Sequence, residues 1–198
     1  GNNNVVIGKL AGNDMTSAAG NVLIGEDAGA NITSGDANVV IGQGAGEALT
    51  TPSRSIFIGV NAGNDHDTEN DNLGIGHDAL TASIAGGEKN VAVGNYTLDA
   101  VTTGDNNTAV GYNAATTLSN GSANSSFGFE AGKGLTSGSN NTSIGNLAGQ
   151  SHSTGSHCTN LGSGAQPSSN TTSGQFTLGD GNVSNLRCND QSISALSD

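Results

Sequence analysis

The stretch 106–121 reads "NNTAVGYNAATTLSNG", and 140–155 reads "NNTSIGNLAGQSHSTG". Both set Asn, Thr, Gly and Ala around one aliphatic residue before a Gly. Anchoring on that Gly gives Gly8, Gly25, Gly42, Gly59, Gly76, Gly94, Gly111, Gly128, Gly145, Gly162 and Gly179. Every interval is 17 residues except Gly76 to Gly94, which is 18. A fixed period of this kind is the signature of a repeat architecture.

The other columns keep the same period. The residue before Gly is aliphatic or Phe throughout, from Ile7 and Ile24 through Val110 and Phe127 to Leu178. Asn recurs four residues before Gly, as in Asn21, Asn38, Asn107 and Asn141. Ala recurs three after it, as in Ala28, Ala45, Ala114 and Ala148. An aliphatic or Met often stands seven after, as in Met15, Ile32, Leu49 and Leu118, with Thr following it.

Seventeen residues are too few for two helices and a turn, and fit one coil of a β-solenoid. "NVVIG", "NVLIG" and "NTAVG" read as short strands rich in β-branched residues. Gly ends each strand where the backbone needs positive φ or close approach. The "LT" column predicts a second short strand, and "SGDAN" or "TGDNN" the turn to the next coil. The extra residue of the long repeat is expected in such a turn, near Gly86-Gly87. Strands stacked about 4.8 Å apart place identical side chains above one another, so the Asn column predicts a hydrogen-bonded ladder. The fold expected is all-β: a parallel β-solenoid, or β-roll, of eleven rungs over residues 1–182, a rod roughly 50 Å long at that spacing. Val110 and Leu118 are expected inside the coil. The column two before Gly, apolar from Val6 to Phe57 and polar from Ser126 to Asn160, is expected to face neighbouring chains.

Composition narrows the function classes. The 198 residues include 32 Gly and no Trp, only 33% are hydrophobic, and the formal net charge is −12. No basic stripe exists for nucleic acid. No apolar run reaches the roughly 18 residues of a membrane helix. The chain opens inside a repeat, which marks it as a piece of a longer protein. One thin coil buries little apolar surface against the entropy of ordering it, so a homotrimer is expected.

The unit Asn-x-x-aliphatic-Gly-x-x-Ala resembles the head repeats of trimeric autotransporter adhesins, although the rung here is longer. "LGDGNVSNLRCNDQSISALSD", 178–198, leaves the repeat register. It resembles the junction before the auto-processing intramolecular chaperone of phage tail fibres, tailspikes and endosialidases. That resemblance implies a homotrimer in a virion tail fibre. It also implies a 183–198 junction cut once before Asp198, with Ser197 as nucleophile and a transient C-terminal chaperone as partner. The expected function is the distal segment of a phage tail fibre, structural and binding a host-surface glycan or protein, not an enzyme. A bacterial adhesin head, on the cell surface, is the alternative, and an ice-binding solenoid the second.

No cofactor is implied. His66, His77, His152 and His157 lack a His-x-His pairing, and no metal site is assigned. Receptor-contact candidates are the acidic loop residues Asp65, Asp67, Glu69 and Asp71, and the aromatics Tyr96, Tyr112 and Phe129, since loops on rigid scaffolds carry binding. Cys158, in the Asn column, reads as a small buried residue.

Overall fold

In the computed structural model, residues 1–82 and 86–184 are described. Eleven strands of three residues, from β1 (Val5–Ile7) to β11 (Phe176–Leu178), form one parallel sheet in strict sequence order. Each rung is numbered by its corner glycine, from Gly8 to Gly179. Pairing is residue for residue: Val5 opposes Val22, Ile7 opposes Ile24, and so on to Leu161 opposite Leu178. The longer repeat does not break register, because Ile75 of β5 (Leu73–Ile75) still opposes Val93 of β6 (Val91–Val93).

The corner glycines are required twice over. Gly111 has φ +137°, and a Cβ there would sit 2.3 Å from the carbonyl oxygen of Gly128 in the next rung. The backbone conformation and the closeness of the adjacent coil both exclude a side chain.

After the corner, the chain turns instead of extending. Left-handed residues stand two and four positions on, such as Asn61 (φ 55°) and Leu98 (φ 52°). A pleated strand cannot contain them. The expected second strand is absent among the described residues: the "LT" residues beyond this turn form no strand, although Thr33 N–H still donates to the Thr50 carbonyl of the next rung at 2.8 Å.

The strand also faces the other way from expectation. Its middle residue, two before Gly, points into the coil: Leu23, Val40 and Phe57 are fully buried. The residues on either side point outward, so Val110 is half-exposed while Leu118 is inside. A three-residue strand turns only its middle side chain to one face. That side chain fills the space beside the Ala and Leu columns: a Cβ on Gly29 would lie 3.0 Å from Leu23. Phe57 is the widest occupant, and Gly74 makes room for it in the rung above, where a Cβ would meet the Phe57 ring at 3.0 Å.

The change from apolar to polar in this column is thus inside one chain. From rung 8 the interior carries Ser126, Ser143 and Asn160, all buried. None of their polar side-chain atoms has a hydrogen-bond partner among the described residues.

Candidate functional site

Three side-chain ladders bind the rungs together and decide which polar groups remain free. The Asn column forms the first. Asn107 Oδ1 accepts the Asn124 N–H at 3.0 Å, while its Nδ2 donates to the Gly121 carbonyl at 2.9 Å. Each amide thus ties a strand to the turn beside it and to the next rung. Ser55 and Cys158 substitute in this column: the Cys158 thiol donates to the Thr172 carbonyl at 3.2 Å and accepts the Gln175 N–H at 3.5 Å.

The second ladder lies in the turn and uses any short oxygen-bearing side chain. Ala19 N–H donates to Asp36 at 2.7 Å, Asp105 N–H to Ser122 at 3.0 Å, and Ser122 N–H to Ser139 at 3.0 Å. Here the earlier rung donates to the later one, opposite to the Asn ladder. Sequence reading took this column for a generic turn, because Asp, Ser and Asn share no identity, only an acceptor one bond from Cβ or Cγ.

The third is the Thr column, whose hydroxyls donate to the next rung's carbonyl, as in Thr33 to Thr50 at 3.2 Å and Thr102 to Ser119 at 3.2 Å. Hydroxyl protons spent along the rod are not offered to a lattice of water, which weighs against an ice-ordering face.

The candidate residues divide between two places. On rung 4, Asp65 and Asp67 are exposed and, with Ala48 and Thr50, line an open hollow of about 470 Å³. Asp67 also accepts the Thr50 hydroxyl. Asp71 pairs with Arg54 at 2.7 and 2.9 Å, and the guanidinium's hydrogen bonds and charge hold its pKa down. Glu69 is 6% exposed and accepts the N–H groups of Asp67 (3.2 Å), Thr68 (3.1 Å) and Gly86 (3.1 Å). It holds the loop together and offers little to a ligand.

Tyr96, Tyr112 and Phe129 stand on rungs 6, 7 and 8 and form a ladder that His77 extends on rung 5. Ring centroids are 5.3 Å apart for His77–Tyr96, 5.7 Å for Tyr96–Tyr112 and 5.8 Å for Tyr112–Phe129. Tyr112 and Phe129 are 46% and 47% exposed. Tyr96 sits one residue further from its Gly than the others do, yet its ring reaches the same column; spacing alone did not single out His77. Among the described residues, no hydrogen bond, ion pair or ring contact joins this ladder to the acidic loop.

The charged neighbours of the rings are paired. His77 Nδ1 lies 2.9 Å from Asp78, and Lys133 lies 2.9 Å from Glu130, whose pKa is lowered by that bond. Gln150 donates to the other Glu130 oxygen at 2.7 Å.

His66 and His152 belong to the interior. His66 packs edge-on to Phe57, centroids 4.9 Å apart, and neither ring nitrogen makes a hydrogen bond among the described residues. Burial pushes its pKa down to about 3, with the Leu80 backbone a weak counterweight. His152 is lowered by burial too, against the Thr172 carbonyl 3.1 Å from Nε2. No group of three or more metal-ligating side chains occurs among the described residues. Ser197 and Asp198 lie outside the described residues.

The last feature is a surface. The outward columns, one and three before Gly, carry no charged residue in any rung. The column before Gly is apolar from Ile7 to Leu178, and Phe127, Ile144, Leu161 and Leu178 are exposed. The column three before Gly is Val, Ile or Leu through Val91, then Thr or Ser from Thr108 to Thr159. No family model, curated protein or solved structure matches the chain.

Proposed function

We propose that the chain is a segment of a homotrimeric phage tail fibre: a stiff, non-enzymatic rod that bears host-surface contacts. The observation that carries the reading is the uncharged outward face of the sheet. Eleven strands about 4.8 Å apart and about 10 Å wide give a strip of roughly 500 Å² of flat area. Apolar patches beyond a few hundred Å² mark interaction sites, and the strip approaches the roughly 800 Å² per partner of a standard interface. A face that keeps one apolar column over eleven rungs is matched by another equally long and equally regular surface, and a second copy of the same rod is one. Charge elsewhere, −12 per chain, keeps the rods soluble and their other faces apart.

Multivalent display follows, since three copies present each surface residue three times and weak contacts add by avidity. The self-cleavage implied for Ser197 is the only covalent step in this reading.

Light scattering tests assembly. The chain is expected at three times its 19.4 kDa mass. Val110→Asp and Ile75→Asp place a charge on the outward face without entering the coil, and are expected to yield folded monomers. A monomeric parent chain, or variants that remain trimeric, would overturn the reading.

A further inference from the structure

The ring ladder interrupts a column that is otherwise solvated. Position one after Gly carries Lys9, Glu26 and Gln43 on rungs 1–3, the exposed Val60 on rung 4, and Asn146, Ser163 and Asp180 on rungs 9–11. Lys9 and Glu26 pair across the surface at 2.9 Å, and both are well exposed. A column with such residues at both ends belongs to the outside of the rod, not to the uncharged face where copies meet. The rings on rungs 5–8 are therefore a local patch on an open side.

Intra-coil packing does not account for them. The interior of rungs 6 and 7 is already filled by Ala92, Leu98, Ala109 and Leu118, all buried. Exposed aromatics cost solvation, and a coil elsewhere content with Gln, Asn and Ser at this position has no structural need for Tyr112 and Phe129 there, nor for the half-exposed Tyr96 one residue further on.

The chemistry of the patch is specific. The rings give an apolar strip along the rod axis, one per rung, and Tyr112 and Phe129 lie nearly parallel at 7°. Exposed Asn95 and half-exposed Asn113 flank them with amide groups. Of the nearby side chains, Glu130 is paired with Lys133, and Asp78 lies 2.9 Å from His77 Nδ1. A fixed anion finds no unpaired cation among the described residues of such a surface. A neutral pyranose chain suits it: its C–H faces and edges pack on rings, and its hydroxyls bond to amides. Its units also repeat on the scale of the rung spacing, so successive sugars meet successive rings.

We propose that His77, Tyr96, Tyr112 and Phe129 form a binding site for an uncharged glycan laid along the rod, spanning rungs 5–8. This rests on the reading of the chain as an assembled fibre, because assembly is what leaves this side open. Bound length follows ring number, so oligosaccharides of three or four units bind and single sugars do not.

The chain supplies its own reporter. It has two Tyr and no Trp, and both tyrosines are in the patch, so intrinsic fluorescence reads the site alone. The 198-residue chain is titrated with maltohexaose and chitohexaose as neutral probes, with polygalacturonate as the anionic control, and is screened on an array of neutral and anionic glycans. Expected is a saturable fluorescence change with at least one neutral glycan, none with the anionic control, and about tenfold weaker binding for Phe129→Ala, which leaves both tyrosines in place. Iodide quenching, read beside light scattering, separates this proposal from the assembly it rests on. Tyrosines that lose iodide access when trimers form would assign the rings to the interface between copies and overturn the site. A trimer with accessible rings that binds no neutral glycan, or only anionic ones, would overturn the site and leave the fibre reading standing. A monomer that binds a neutral glycan through Phe129 would reverse that outcome.

Discussion

His66 should make rung 4 acid-sensitive, by an amount that follows from its surroundings. Its pKa is lowered from 6.5 to about 3 because the ring is buried against Phe57, and the Leu80 backbone offsets that burial only in part. In the unfolded chain the imidazole takes up a proton near pH 6.5; in the folded chain it stays neutral until about pH 3. The unfolded state therefore binds more protons in that window, and stability falls as pH falls. The contribution is complete above pH 6.5 and lost progressively below it, about 2 kcal/mol by pH 5 and about 5 kcal/mol by pH 3. His66→Leu restores the aliphatic of the neighbouring rungs and removes the titration. It also removes two unpaired polar atoms, so the variant should be more stable by about 1–3 kcal/mol at pH 7.5. Because a rod opens locally, the assay is native-state hydrogen exchange at the amides of Ile56 and Gly63, which bond to Asn72 and Ala79 of the adjoining rung. Between pH 7.5 and 5, the opening constant of the parent should rise about thirtyfold relative to the variant. Asp65, Asp67, Glu69 and His152 are common to both proteins, so the comparison isolates His66. Equal pH dependence in the two proteins, or a parent that gains protection in acid, would refute the argument.

Other perturbations follow from the ladders and the corner. Gly111→Ala brings a Cβ to 2.3 Å from the Gly128 carbonyl at a φ that side chains avoid, and should cost more than about 3 kcal/mol, read as a lost rung in exchange or a collapse in thermal midpoint. Asn107→Ala strands the Asn124 N–H and the Gly121 carbonyl, for about 2–4 kcal/mol, whereas Asn107→Ser should cost less because the Ser55 hydroxyl already accepts the Asn72 N–H and donates to the Glu69 carbonyl in that column. Ser143→Ala goes the other way: its hydroxyl is buried without a partner, and Ala92 and Ala109 fill the same column, so denaturant midpoints should rise by an amount equivalent to about 1 kcal/mol.

The repeat, the corner glycines, the Asn ladder and the narrow Ala column were all legible in the sequence, because each imposes the same residue in all or most rungs. Sidedness was not. In "VVI" and "VLI" all three strand positions are apolar, so alternation gives no direction, and the most constant apolar column reads as the interior. The structure turns that column outward and buries the variable one. Interior size varies because it is compensated between neighbours, as Phe57 is by Gly74. The turn ladder was hidden for another reason: it selects an acceptor atom, met equally by Asp36, Ser122 and Asn70. Of the candidate site, the three aromatics were visible as residues near one corner, but their alignment with His77 depends on how rings bridge unequal offsets. Glu69 looked like its acidic neighbours, and only the fold of the loop shows that it is enclosed.

Strict register has a consequence for how such a rod changes over generations. Removing residues 112–128 would join Gly111 to Phe129 and set Val110 opposite Ile144 and Asn107 beneath Asn141, with every column still continuous. Units such as this can be lost or duplicated by recombination between like segments without a compensating substitution, whereas Phe57 and Gly74 must travel together. Reach is then inherited as an integer, free to drift with the distance to be spanned, while the four rungs that hold the rings can move along the shaft as a cassette.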